Sequence, residues 1–171
     1  MGNKLIIKQI NKAYNSKKAI ENVLHYIVRE KDSIGNGKVC CWKAFGASGT
    51  NIQKVCRQFI KIQKIAGKDN QKRIRHIMIS FPAYVNNVRK VEIAADAIAS
   101  FIFKDYQVAY AIHEKKNAFH IHLAINPVSY RTLKKWHMSW KEFEEWRKEI
   151  LKVVNKSIQY NGNGMFNVFD L

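Results

Sequence analysis

Acidic residues are scarce in this chain, with thirteen Asp+Glu against thirty Lys+Arg in 171 residues and a formal charge of +17. A surface so basic repels copies of itself and attracts polyanions, nucleic acid first and anionic membrane second. Charge alone names no activity, because ribosomal and architectural proteins share it. Long hydrophobic runs are also missing. No apolar stretch reaches the roughly 18–20 residues that cross a bilayer, and the richest, 93–103, is interrupted by Asp96 and Ser100. The expectation is no membrane insertion. The opening Met-Gly-Asn-Lys-Leu-Ile-Ile-Lys has a lysine inside its short apolar run and no cleavage site, so it reads as a first strand and not as a secretion signal. Cysteines are few and odd in number (Cys40, Cys41, Cys56), and none sit at zinc-finger spacing. Reduced, buried thiols in a cytoplasmic protein account for them. With two prolines, no repeat, no low-complexity tract and 47% hydrophobic residues, the chain reads as one globular domain over residues 1–171.

Periodicity then supplies the elements. Residues 5–10 read as a strand, and Ser16 is placed to cap a helix running to about Arg29 with Ile20, Val23, Leu24 and Ile27 as its apolar stripe. Residues 32–49 read as loop, with a short strand at 39–45. Residues 51–66 read as a helix closed by Gly67, with Val55, Phe59 and Ile62 on one side and Lys54, Arg57, Lys61, Lys64 and Lys68 on another. Five cations without an acid among them suit a nucleic-acid backbone as well as they suit a solvated face. Strands follow at 73–81, 106–113 and 118–126, the last two joined as a hairpin, with a helix at 91–104 before them. Ser139 and Glu142 form a capping box for a final helix to about Gln159, whose buried face is Phe143, Trp146, Ile150 and Val154. This order predicts an α+β fold, a central antiparallel sheet with helices mainly on one face.

The chemistry concentrates in the hairpin. Strand side chains alternate, so His120 and His122 share a face with Ala118, Ala124 and Asn126, while Phe119, Ile121, Leu123 and Ile125 face the core. On the preceding strand His113 shares a face with Gln107, Ala109 and Ala111. Pairing the two brings three imidazoles, half of the six histidines, onto a face floored by alanines. Three neutral imidazoles on a rigid sheet can hold a divalent ion and leave coordination positions open. Hydrolytic zinc sites use three histidines too, so this cluster does not fix the reaction. His76, on the strand face of Ile74, Met78 and Ser80, is a supporting candidate; His25 points to solvent or nucleic acid, and His137 lies outside every motif. Tyr26 lies roughly 110° around the first helix from its apolar stripe, at about 100° per residue. Tyr14 and Tyr110 rival it as nucleophiles on composition alone.

The order of these segments resembles the relaxase/mobilisation nuclease family, the MobP-like group of HUH endonucleases. Residues 6–10 followed by 19–27 resemble the family's opening strand and tyrosine-bearing helix, Arg75-His76-Ile77-Met78-Ile79-Ser80-Phe81-Pro82 its central motif, and His113 with His120-Ile121-His122-Leu123-Ala124-Ile125-Asn126 its histidine motif. The likeness runs over residues 4–126. It implies an HUH, ferredoxin-like core whose open face carries a three-histidine metal site. Tyr26 would be the nucleophile, with Mg²⁺ or Mn²⁺ held by His113, His120 and His122. One departure stands out: where relatives commonly carry an acid after the first histidine's neighbour, this chain has Lys115, with Glu114 one step earlier. Glu114 is therefore a supporting candidate on a strand face that does not suit it, and no general base is assigned.

The implied activity is nicking of single-stranded DNA at a transfer origin through a 5′-phosphotyrosine link, for conjugation or mobilisation, with accessory relaxosome proteins as partners. Trp42, Phe45 and Trp136, read as lying in loop-like segments, are candidates to stack on bases. A rolling-circle initiator or single-tyrosine transposase would place its tyrosine after the histidine pair, at Tyr130 or Tyr160. A non-catalytic basic binding module and a zinc hydrolase are further alternatives. A monomer is the default.

Overall fold

Lys116 and Asn117 turn the chain at the surface, both in left-handed backbone conformation (φ 49° and 60°). This is the two-residue geometry whose twist matches that of the strands it joins. In the computed structural model, which describes residues 4–10, 12–29, 38–48, 51–159 and 167–168, the turn joins β4 (Val108–Lys115) to β5 (Ala118–Ile125). The first arm lies two residues further along the chain than the expected 106–113, and the turn sets Lys115 against Ala118 and His113 against His120. A slip of one residue would send every histidine of one strand to the opposite face.

Around the hairpin lie β1 (Lys4–Gln9), β2 (Lys38–Phe45), β3 (Arg75–Ser80) and β6 (Asn167–Val168), in the order β2-β4-β5-β3-β1-β6. All pairings are antiparallel except the short parallel one of β6 with β1. The short strand expected at 39–45 is present as β2, one residue longer, and pairs with β4 with a register shift between Val39 and Cys41.

Among the described residues four helices cover the sheet: α1 (Ala19–Val28), α2 (Ile52–Ile65), α3 (Val88–Phe103) and α4 (Trp140–Gln159). Asn51 caps α2 by accepting from the amides of Gln53 and Lys54, and Asn87 caps α3 by accepting from that of Arg89. The Ser139–Glu142 box closes as expected: Ser139 N–H donates to Glu142 Oε2 (2.6 Å) and Glu142 N–H to Ser139 Oγ (3.3 Å). Ser16 does not cap α1 through its side chain. The cap position is Lys18, with no side-chain bond, and the Ser16 carbonyl accepts from the Ala19 amide.

The expectation of helices mainly on one face is corrected. Helices α3 and α4 pack on the face of Tyr110, Ile112, Ile121 and Leu123, whereas α1 and α2 pack on the face of Ala109, Ala111 and Ala124. The alanines do not floor an open cavity. They are fully buried and let two helices settle against the sheet beside the imidazoles. On α2 it is Gln63, not Ile62, that is fully buried with Val55 and Phe59. Among the described residues no helix is long and apolar enough to cross a membrane.

Gln63 turns inward because Asn126, at the end of β5, holds it. Asn126 is fully buried. Its Nδ2 donates to the Phe59 carbonyl (3.1 Å) and to Gln107 Oε1 (2.8 Å), and its Oδ1 accepts from Gln63 Nε2 (2.9 Å) and the Val128 amide (3.2 Å). One side chain thus ties α2 to both arms of the hairpin at its open end. Asn126→Ala leaves several buried groups without partners and is expected to lower stability by about 2–4 kcal/mol. The measurement is urea unfolding, where the midpoint falls at unchanged slope; an unchanged midpoint contradicts this reading.

Candidate active site

Cross-strand pairing assembles the site. Ser80 lies opposite His120, Met78 opposite His122 and His76 opposite Ala124 on β3–β5, while His120 also faces His113 and His122 faces Ala111 on β4. Four histidines from three strands therefore share one sheet face. The His113 and His122 rings lie 4.4 Å apart between centroids, and those of His76 and His122 5.2 Å apart.

Helix α1 closes over this cluster and contributes twice. Its last turn has carbonyls without helical partners, and the Ile27 carbonyl accepts from His113 Nε2 at 2.6 Å. One residue earlier Tyr26 sets its ring edge-on against His76 (5.8 Å) and His122 (5.9 Å). Tyr26 is 41% exposed and lines the cleft beside it, so a ligand there can reach it. The Arg29 guanidinium sits 4.1 Å over the same ring. Beside it opens a cleft of about 640 Å³, lined by Lys12, Tyr14, Asn15, Ser16, Asn22, Tyr26, His76, His122 and neighbouring apolar side chains, within the size range of small-ligand sites.

Burial controls the charge of the cluster. His122 is only 7% exposed and His76 4%. Loss of hydration, then the neighbouring His113, His76 and His120, pushes His122 down to about 2. Burial, with Lys12 and His113, pushes His76 down to about 4. His120 is lowered as well, by burial first and then by His113. At neutral pH these three imidazoles are uncharged, which is why they tolerate one another so closely and why their nitrogens have lone pairs.

The expected metal ligands His113, His120 and His122 do share one face. Among the described residues, however, no group of three or more His, Cys, Asp or Glu side chains stands in an arrangement that could hold an ion as placed. The donor set still suits a divalent ion chemically. The rings whose titration shifts are neutral and so have a lone pair to offer. His122 Nδ1 lies 3.0 Å from His76 Nε2, and that bond leaves Nε2 of His122 out.

Other candidates fall elsewhere. Glu114 pairs with Phe119 and lies on the opposite sheet face from His113, as strand alternation predicts. Trp42 is in β2 and packs into the core under α1 and α2; Phe45 packs against Phe103 and Tyr110; Trp136 stacks on Tyr106 at 4.9 Å. None of the three stands in a free loop ready to stack on bases. Lys54, Arg57, Lys61 and Lys64 are exposed along α2, and Lys68 beyond it is half-buried. His25 is exposed, with its Nε2 2.8 Å from Gln53 Nε2 on α2, and His137 is exposed outside the cluster. Tyr110 is fully buried and donates to Asp96 (2.6 Å), and Tyr130 donates to the Phe103 carbonyl (2.6 Å). Tyr160 lies outside the described residues. Sequence reasoning missed Tyr14 as a partner of His76, with its hydroxyl 3.2 Å from His76 Nδ1, and Arg29 above Tyr26. No local pattern signals either contact.

A family model described as "Relaxase: MobA/VirD2-like, nuclease domain" matches residues 14–157. No curated protein matches the chain. A solved structure described as "Molecular Basis of Vancomycin Resistance Transfer in Staphylococcus aureus" is similar in fold, with a TM-score of 0.61 over 97% of each chain at 17% identity.

The buried imidazoles make metal-free stability depend on pH. The unfolded chain binds a proton at each near pH 6.5, but the folded chain does not until about 4 at His76 and about 2 at His122. Stability is therefore full above about 6.5 and falls as the pH drops below it, by up to about 1.4 kcal/mol per pH unit for each imidazole. With chelator present, urea unfolding between pH 7 and 4.5 is expected to show a slope shallower by about 1 kcal/mol per pH unit in His76→Gln than in wild type. Equal slopes would contradict the burial account.

Proposed function

The chain belongs to the MobA/VirD2-like relaxases, matching their nuclease domain over residues 14–157, and we propose that it nicks single-stranded DNA at a transfer origin with Tyr26 as its nucleophile. The observation that carries this is the placement of Tyr26: a half-exposed phenol on α1, edge-on to two buried imidazoles and open to the cleft. Two of the rival tyrosines support the reading by their commitments. Tyr110 is buried on the opposite face, and the Tyr130 hydroxyl is engaged by the Phe103 carbonyl. Placing the nucleophile before the histidine pair also favours a relaxase over a rolling-circle initiator or single-tyrosine transposase.

A phosphodiester resists attack because it is an anion and its leaving alkoxide is poor. His113, His120 and His122 would hold a Mg²⁺ or Mn²⁺ ion at the scissile phosphate. When bound, such an ion neutralises the phosphate, orients it and stabilises charge in the transition state. This chain's residues do the rest. The Tyr26 ring is held by Arg29 above it and by the two imidazoles at its edge. Its oxygen forms a bond to phosphorus as the bond from phosphorus to the 3′-oxygen breaks. The proton lost by Tyr26 is matched by the one gained at the departing 3′-oxygen. The products are a 5′-phosphotyrosine and a free 3′-hydroxyl, and the link retains enough free energy for the strand to be rejoined by the reverse step. The exposed cations Lys54, Arg57, Lys61 and Lys64 of α2 are suited to the DNA backbone, with affinity that falls steeply with salt.

Labelled single-stranded DNA from a cognate transfer origin, incubated with Mn²⁺ and run on a denaturing gel, tests the reading. Wild type and Tyr14→Phe are expected to give a DNA–protein adduct. Tyr26→Phe gives none, and His120→Ala loses at least about 100-fold. An adduct that survives Tyr26→Phe would move the nucleophile elsewhere. Cleavage without any adduct would point to a hydrolase.

A further inference from the structure

We propose that Tyr14 and His76 are positioning residues: they form a relay that fixes the tautomer of His122 and so keeps its Nε2 available to the metal ion. This rests on the metal reading given above. The relay is a chain of two hydrogen bonds, Tyr14 hydroxyl to His76 Nδ1 at 3.2 Å and His76 Nε2 to His122 Nδ1 at 3.0 Å.

A neutral imidazole has one N–H and one lone pair, so the chain has two self-consistent directions. In the first, His122 Nδ1–H donates to His76 Nε2, His76 Nδ1–H donates to the Tyr14 oxygen, and His122 Nε2 is left with its lone pair. In the second, the Tyr14 hydroxyl donates to His76 Nδ1 and His76 Nε2–H donates to His122 Nδ1. His122 Nε2 then has the proton and cannot ligate. The direction of the chain therefore decides whether His122 is a ligand.

The surroundings restrict how that direction is set. His76 is 4% exposed, so water has little access to its ring and Tyr14 is the group that completes its second hydrogen bond. Tyr14 is held for the purpose. Its backbone is left-handed (φ 47°), a conformation that disfavours a bulky residue unless the surroundings impose it. The Arg73 amide donates to the Tyr14 carbonyl at 3.0 Å. Arg73 is itself buried and bonded to Gln63 Oε1 and the Lys17 carbonyl. The hydroxyl is thus anchored through the Gln63–Asn126 network to the end of β5, the strand that bears His122. Tyr26 rests edge-on against both imidazoles of the relay, so the same two residues also shape the wall behind the nucleophile. Outer hydrogen bonds of this kind fix ring orientation and typically change metal affinity 10–100-fold when removed.

Two measurements test the relay without relying on turnover. In ¹⁵N-histidine NMR of wild type with Mg²⁺, His122 is expected to be protonated at Nδ1 and bare at Nε2; the reverse tautomer would overturn the proposal, and no variant is needed. Mn²⁺ affinity read by electron paramagnetic resonance is expected to weaken about 10–100-fold in His76→Leu and by a smaller factor in Tyr14→Phe. His76→Gln should stay near wild type, because its carbonyl can accept from His122 Nδ1 while its amide donates to Tyr14. Equal affinity in wild type and His76→Leu would overturn the relay alone. A wild type that binds no Mn²⁺ would overturn the metal reading and the relay with it.

Discussion

The two-residue turn at Lys116–Asn117 fixes the register of β4 against β5, and everything at the site depends on that register. It sets His113 opposite His120 and diagonal to His122, all on one face. Because the side-chain period of a strand is two, no intermediate register exists: a slip of one residue in β5 would turn His120 and His122 to the face of Tyr110 and Ile112 and destroy the cluster outright. The network around Asn126 pins the other end of the same hairpin, so the register is held at both ends by hydrogen bonds that water cannot easily replace.

With the register fixed, burial sets the electrical character of the site. Helices α1 and α2 lie on the imidazole face over Ala109, Ala111 and Ala124, and dehydration keeps His76 and His122 neutral. Neutral rings can sit close together and offer lone pairs to a cation, which a charged cluster could not. The helix that excludes water also presents Tyr26 and supplies the Ile27 carbonyl to His113. Stability and chemistry thus draw on one packing arrangement, and the mobilisation nuclease activity proposed here needs no element that the fold does not already require.

Much of this was legible in the sequence, for reasons that are local. Strand alternation alone placed His113, His120 and His122 on one face and warned that Glu114 belonged to the other. Helix periodicity put Tyr26 on the flank of α1. What stayed hidden depends on contacts between distant segments. Alanines on a strand have two meanings, room for a ligand or close approach of a helix, and the stripe Val55–Phe59 on α2 does not say which sheet face it seeks. Base stacking and core packing stayed open for Trp42, and base stacking for Trp136, because the pairing of β2 with β4 and the stacking on Tyr106 are tertiary. Tyr14 reaches His76 across 62 positions of sequence, from a backbone conformation that no propensity favours.

The central claim is that Tyr26, and no other tyrosine, becomes joined to DNA. The most direct measurement is peptide mapping by mass spectrometry of the adduct formed with Mn²⁺ and a transfer-origin oligonucleotide, after nuclease and protease digestion. The account predicts a nucleotide phosphate on the peptide containing Tyr26. A modified peptide containing Tyr14, Tyr130 or Tyr160, with Tyr26 unmodified, would contradict it.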